Sequence, residues 1–586
     1  MATDILNVTF DGINDVPRLD GQNAREFFVT PSDGSFMDTY NIFHSVPGND
    51  LDATANFTGS NWTIRFFRIA GEDHVTTIRD LDEGTGRKID LMTLGYNSDV
   101  DLITTRVDFM FGWEGEKHDI NLGEGTDRSV QSIHVFADLN IINTGSRYVG
   151  SIKTNNGDNV SRITVNEQGA DSIVTGNGND RIVINEGFVQ SVRVNHGNDT
   201  VVLRDGGFIR SLDINNGNDR VTVNKDSRIT SVDAFAGNKT IVVEDGGRID
   251  QIRGGDGEAM SITLKGQARV ETITAYNTGL TVETGDRFLQ TIKGFDANTD
   301  LKIGSGGVGN IRFGGSGENK HKLVADGFVG AVDLDDQNSN PDDNQSSNLT
   351  FKFFFGNVRL GEDRDVVKAV GADAWGESIS TNGGNDRVEL DNIGAGYVHL
   401  GAGKDVISVQ KLTDDDENNF YDNVQIKGGA GIDTILFNKF GGKVTFSLAN
   451  SAGAQEISGN SRAFQVNGIE NLTGGGKNDD LTGNAGNNVI KGLKGADRIT
   501  GLEGNDLLIG AGGADVFVFG EDAGTDRIRG FQKGTDKIEI ADHAGGFRSL
   551  DISRAGNNLE IDHDGGTIVL LGRGGANLSG NDFDFV

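Results

Sequence analysis

Residues 474–518 divide without remainder into five nine-residue units: GGGKNDDLT, GNAGNNVIK, GLKGADRIT, GLEGNDLLI and GAGGADVFV. The first place is always glycine: Gly474, Gly483, Gly492, Gly501 and Gly510. The fourth holds Gly486, Gly495, Gly504 and Gly513, with Lys477 as the exception. The sixth holds Asp479, Asp497, Asp506 and Asp515, with Asn488 as the exception. The eighth is apolar throughout: Leu481, Ile490, Ile499, Leu508 and Phe517. A unit this short can offer only one inward side chain on a very short strand. No unit can bury its own apolar face, so the units must stack.

The turn chemistry is equally constrained. Glycine supplies the positive φ angles of a tight turn and lets backbone carbonyls converge with no Cβ in the way. A carboxylate two residues after the second glycine adds a charged, hard oxygen to those carbonyls, and a cage of hard oxygens is what Ca²⁺ takes. The run resembles the GGxGxDxUx repeat of RTX (repeats-in-toxin) calcium-binding β-rolls. That resemblance implies two nonapeptides per coil and multiple Ca²⁺ ions between the turns of successive coils. Its candidate ligands are Asp479, Asn488, Asp497, Asp506 and Asp515, with the turn glycines Gly486, Gly495, Gly504 and Gly513. Place two departs from the family glycine in Asn484, Leu493, Leu502 and Ala511. Lys477 and Asn488 weaken the sites they join, so calcium is expected around Asp497, Asp506 and Asp515 ahead of Asp479.

Upstream the period is longer. Gly157, Gly178, Gly197, Gly217, Gly237 and Gly257 recur at spacings of 21, 19, 20, 20 and 20. Three of them open the triplet Gly-Asn-Asp, ending at Asp180, Asp199 and Asp219. Half a period later comes a second, glycine-only turn (Asp205-Gly206-Gly207, Asp245-Gly246-Gly247). One coil should therefore hold two strands and two unlike turns, with calcium on the Gly-Asn-Asp edge. Lys239 and Ala259 stand where the next carboxylates are expected, and the row should stop there. The pattern resumes at Asp386, Asp405 and Asp433, the last inside GGAGIDTIL, a full match to the family repeat. Asp414, Asp415, Asp416 and Glu417 read as a solvated loop.

The expected class is all-β: a parallel β-solenoid or β-roll with RTX calcium-binding repeats and terminal caps. Residues 1–71 read as a cap or anchoring segment, 72–334 as a solenoid of roughly 20-residue coils and 335–348 as an acidic polar loop. Residues 349–470 read as continued solenoid, 471–520 as the nonapeptide roll and 521–586 as a C-terminal cap with an export signal. With 86 glycines and only 4 prolines, regular turns are favoured over a disordered Pro/Gly tract.

Charge and composition narrow the partners. A net charge of −34 argues against nucleic acid, whose phosphates need clustered Lys and Arg. Cysteine is absent, so stapling must come from metal. No window reaches the apolar length of a transmembrane segment. The start, MATDILNVTFDGIND, lacks the basic and apolar stretches of a secretory signal peptide. The end, Asp582-Phe583-Asp584-Phe585-Val586, resembles the uncleaved C-terminal signal of type I secretion, which implies a secreted, extracellular or cell-surface protein.

No catalytic or organic-cofactor motif is found: neither HExxH nor GxSxG occurs. His543 and His563 each adjoin an aspartate but lack a third ligand, so both read as surface histidines on strands. The chain resembles calcium-dependent RTX S-layer proteins of Gram-negative bacteria. That implies a structural protein that rigidifies on extracellular calcium and associates with copies of itself, and with cell-surface polysaccharide as a further partner. Two rivals stay open: a polysaccharide lyase or epimerase on a β-helix, and an adhesin.

Overall fold

The computed structural model describes residues 5–10, 26–31, 36–37, 40–43, 53–57, 63–70, 74–80, 88–94, 98–103, 107–112, 115–123, 129–154, 157–315, 319–334, 346–371, 373–391, 395–411, 423–449, 455–457, 463–521, 523–541 and 543–586. The acidic run from Asp414 to Glu417 lies outside them. The described residues are strands and turns, with two 3-10 turns, Gly546–Ser549 and Gly580–Asp582, and no α-helix. No described helix is long and apolar enough to cross a membrane. The chain forms two compact units, Met1–Gln290 and Thr291–Val586, a division that falls inside the 72–334 segment.

In the first unit each coil contributes one strand to each of two parallel sheets. Arg181–Asn185, Thr200–Arg204, Asp219–Val223 and Lys239–Val243 pair in order in one sheet. Phe188–Val194, Phe208–Ile214, Arg228–Phe235 and Arg248–Gly255 pair in the other. These segments are rich in β-branched residues, which suit a pleated, half-buried surface. In the first sheet Ile182, Ile184, Val201, Leu203, Val221 and Val223 alternate inward and are buried. In the second the inward places stand three apart, at Val189 and Val192, Ile209 and Leu212, Ile229 and Val232. The pairing keeps Ser191, Ser211 and Ser231 in register between these inward places. Parallel pairing already begins with Ile5–Phe10 on Glu26–Pro31, inside the segment read as a cap.

Glycine keeps the turns at the same spacing as the strands, about 4.8 Å. Gly217 has φ +135° and its missing Cβ would run into the carbonyl oxygen of Gly197 in the preceding coil. One expected alignment fails. Met260, not Ala259, faces Lys239, because the turn after Gly257 holds one residue more than the turn after Gly237. Met260 is buried and Ala259 is exposed.

In the second unit Ser346–Phe351, Val366–Ala369, Arg387–Asp391, Val406–Lys411, Thr434–Leu436, Asn471–Thr473, Val489–Lys494, Leu507–Gly512 and Gly524–Arg529 form one continuous parallel ladder. Across the nonapeptides the opposite wall is a separate sheet: Thr445–Ser447, Asp480–Thr482, Arg498–Thr500, Val516–Phe519, Lys537–Ile540 and Phe583–Phe585. Two nonapeptides make one coil, and all five eighth-place side chains are fully buried. After the last coil the chain turns antiparallel, with Asp551–Ala555, Asn558–His563 and Gly566–Leu571 as a meander that shields the ladder's edge.

Candidate metal centre

The sixth-place carboxylates form rows in which one oxygen builds the fold and the other is left over. The Ser161 amide donates to Asp180 Oδ1 at 2.6 Å, the Asp180 amide to Asp199 Oδ1 at 2.8 Å, and the Asp199 amide to Asp219 Oδ1 at 2.8 Å. A second row starts the same way, with the Ser347 amide on Asp365 Oδ1 at 2.7 Å. It continues through Asp386, Asp405 and Asp433 at 2.7–2.9 Å, and the Asp433 amide then donates to Glu470 Oε2. The nonapeptides carry a row on each edge. On one, the amides of Asn488 and Asp506 donate to Oδ1 of Asp506 and Asp526. On the other, those of Asp479, Asp497 and Asp515 donate to Oδ1 of Asp497, Asp515 and Asp536.

The second oxygen has no such partner. Oδ2 of Asp180, Asp199, Asp365, Asp386, Asp405, Asp433, Asp497, Asp506 and Asp515 is buried without a hydrogen bond. One unsatisfied buried polar atom costs about 1–3 kcal/mol, and more when charged. Repeated at the same place in successive coils, it marks a place for a cation. The first-place glycines make room for it: a Cβ at Gly492, Gly501 or Gly510 would fall on Oδ2 of Asp497, Asp506 or Asp515. Gly495, Gly504 and Gly513 take φ +135°, +114° and +151°, and a Cβ at Gly504 would lie 2.6 Å from the carbonyl oxygen of Gly486.

Burial lifts these carboxyls above their ordinary range, and neighbouring aspartates add to the rise at several. Asp497, Asp506 and Asp433 rise to about 6, Asp199 and Asp386 to about 7 and Asp365 to about 8. Asp180, Asp405 and Asp515 move the same way for the same first cause. The Ser161 and Asp365 amides that donate to Oδ1 temper the rise at Asp180 and Asp386. Among the described residues no three His, Asp or Glu side chains converge on one point. An ion in these turns would therefore rely on backbone carbonyls beside its carboxylates, a hard-oxygen set that fits calcium.

Three of the expected ligands differ from the rest. Asp479 has both oxygens engaged, Oδ1 by the Val444 amide at 2.8 Å and Oδ2 by the Gly475 amide at 2.5 Å. Asn488 accepts from the Asn484 amide and donates through Nδ2 to the Glu470 carbonyl at 2.8 Å. Asp219 Oδ2 lies 2.9 Å from the Lys239 ammonium, an ion pair without hydrogen-bond alignment. Besides Glu470, three aspartates of the rows were not among the expected ligands. Asp365 follows Asp363-Arg364 in place of Gly-Asn, and its only sequence signal is the 21-residue step to Asp386. Asp526 and Asp536 close the nonapeptide rows at steps of 20 and 21, where the nine-residue period has ended.

His543 is neither on a strand nor at the surface. Its imidazole, 3% exposed, hydrogen-bonds Asp564 Oδ2 at 2.9 Å and Ser549 Oγ at 2.7 Å. The order is that of a nucleophile, base and acid, but two features set it apart. Asp564 is 72% exposed, and Ser549 Oγ also lies 2.7 Å from the Gly546 carbonyl, which competes for its proton. The three residues pin the turn around Gly546–Ser549 to the terminal meander. His563 does end a strand, half-buried, with its pKa lowered by burial.

The family described as the RTX calcium-binding nonapeptide repeat (4 copies) matches residues 167–187, 466–499 and 491–526. No curated protein matches the chain. Among solved structures, the extracellular lipase LipA from Serratia marcescens is similar at 12% identity over 45% of this chain and 40% of the lipase, with a TM-score of 0.15. The chain thus spans less than half of that lipase, a likeness too slight to bear on function. The matched segments contain Asp180, Asp479, Asp497, Asp506, Asp515 and Asp526, and over them the chain carries RTX calcium-binding nonapeptide repeats, a repeat that binds Ca²⁺ at multiple sites.

Proposed function

We propose that the protein is exported by type I secretion and acts outside the cell as a calcium-dependent structural protein. On this reading the solenoid rigidifies on extracellular calcium and assembles with its own copies into a surface layer, filament or matrix, with cell-surface polysaccharide as a further contact. The observation that carries it is the row of buried, partnerless Oδ2 atoms. Calcium would be held by Asp180, Asp199, Asp386, Asp405, Asp433, Asp497, Asp506 and Asp515, with Asp365 added, and by carbonyls of the turns at Gly486, Gly495, Gly504 and Gly513. Bound calcium supplies positive charge that offsets the repulsion within each row. Asp479 and Asn488 would contribute less, since backbone groups already occupy them.

Where calcium is scarce, repulsion among the same carboxylates would weaken the closed coils, so that the chain could unfold to pass an export channel. Each ion bound only by the folded state then favours folding by mass action. Repetition on the outer face supports the assembly reading: Ser132, Ser151, Ser172, Ser191, Ser211 and Ser231 occupy one column of the second sheet. The test returns calcium to the stripped full-length protein and follows light scattering with electron micrographs of the same sample. Sheets or filaments are expected. A folded monomer at every calcium level above the folding transition would overturn assembly while leaving calcium binding intact.

A further inference from the structure

Along the sheet edge of the first unit, Ser161, Asp180, Asp199, Asp219, Lys239 and Met260 occupy one column, and none is more than 3% exposed. The column passes from hydroxyl to carboxylates to a single ammonium and then becomes apolar. Lys239 does not point to solvent. Its Nζ lies 2.9 Å from Asp219 Oδ2 and 2.8 Å from the Gly217 carbonyl, and it also donates to the Ala236 carbonyl. One carboxylate and two turn carbonyls thus surround a positive charge at the turn next to that of Asp199, whose own Oδ2 has no partner. The backbone records the same change. The Asp219 amide finds no carboxylate in the next coil and donates to the Asn238 carbonyl at 2.9 Å.

We propose that Lys239 is a built-in counter-ion that fills the last turn of this row in place of calcium, so that the Asp219 turn is closed to metal. The inference rests on the reading that the row binds calcium, and it sets where that binding ends. A buried carboxylate with no cation is costly, and so is a lone buried ammonium. Met260, next in the column, can satisfy neither. Lys239 lets the acidic row stop beside an apolar core with every charge at its end matched, whatever the calcium level.

The test counts calcium bound at saturation by the full-length protein and by Lys239→Asp, which restores a carboxylate at the row's next place. The variant is expected to bind one more ion per chain. In the parent protein, acetylation with an amine-reactive ester at saturating calcium is expected to spare Lys239 while modifying the exposed Lys225 and Lys265. Acetylation of Lys239 to the extent of Lys225 would mean that calcium has displaced it, and would overturn the proposal. A folded Lys239→Asp with the parent's ion count would overturn it too. If that variant fails to fold, the labelling of the parent decides alone. Asp199→Ala separates the two readings: an unchanged ion count there would remove the calcium row itself.

Discussion

Oδ2 of Asp506 occupies the space in which a β-carbon on Gly501 would stand. The two residues belong to the same nonapeptide, so the unit closes its own turn around the carboxylate. Gly501→Ala should push that carboxylate aside, lose about one calcium per chain and destabilise the C-terminal coils by about 1–3 kcal/mol, the usual cost of overpacking. Gly476→Ala is the control, because nothing stands within 4 Å of a β-carbon there. It should change stability by less than about 0.5 kcal/mol. Melting in calcium, with an ion count, separates the two variants, and equal effects would dismiss the cradle.

Second-place residues carry strain that the family glycine would not. Leu493, Leu502 and Ala511 hold φ of 79°, 74° and 75°, in the left-handed region. That region costs an ordinary residue about 1–2 kcal/mol, partly offset in a glycine variant by the greater entropy of its unfolded chain. Leu502 is 39% exposed and so loses little burial on truncation. Leu502→Gly should therefore stabilise the calcium-loaded protein by about 0.5–1 kcal/mol. A lower melting temperature would show that the leucine side chain contributes more than its backbone costs.

The raised carboxyls give the calcium-free fold a defined pH dependence. An unfolded aspartate titrates near 3.9, whereas burial lifts Asp497 and Asp506 to about 6 and Asp199, Asp386 and Asp526 to about 7. A raised folded pKa means that the folded state holds its proton more tightly. Its contribution is complete below about pH 4 and is lost as pH rises through 6 to 7. Calcium-stripped protein should accordingly melt at a lower temperature at pH 8 than at pH 5, and added calcium should restore the difference. Glu539 works in the opposite sense. Its hydrogen bonds from Arg498 hold it below the ordinary range, and that contribution fades only as pH falls below about 4. A stripped protein more stable at pH 8 would rule out burial as the source of the rise.

The parts legible in the sequence are those whose cause lies within a few residues. Gly501 and Asp506, or Gly217 and Asp219, meet inside one turn, so glycine and carboxylate had to appear at fixed short spacing. Partnerships between coils leave no such mark. Lys239 reads as an interruption of the row, and only the stacking of Asp219 on Lys239 shows that it supplies the missing charge. Asp365 has no glycine triplet before it and enters its row through its contacts with the Ser347 and Asp386 coils. The slip from Ala259 to Met260 came from a single extra turn residue, which reverses the facing of everything after it. His543 was misplaced for a similar reason, since Ser549 and Asp564 reach it only once the terminal turn has folded back.

Asn488 offers a way to convert a self-satisfied turn into a metal turn. Its Nδ2 donates to the Glu470 carbonyl at 2.8 Å and to Asn484 Oδ1 at 3.0 Å, so the amide holds together two oxygens that would otherwise face each other. Asn488→Asp removes both donors and puts a carboxylate oxygen among acceptors. Without calcium the loss should cost about 1–3 kcal/mol, the penalty for leaving buried polar groups unmatched. With calcium the same three oxygens become ligands, the ion count should rise by one, and the variant should recover or exceed parental stability. The sign of the effect thus depends on the metal. Melting curves with and without calcium, beside the ion count, check it, and a variant equally destabilised in both conditions would show that the Asn488 turn cannot open to take an ion.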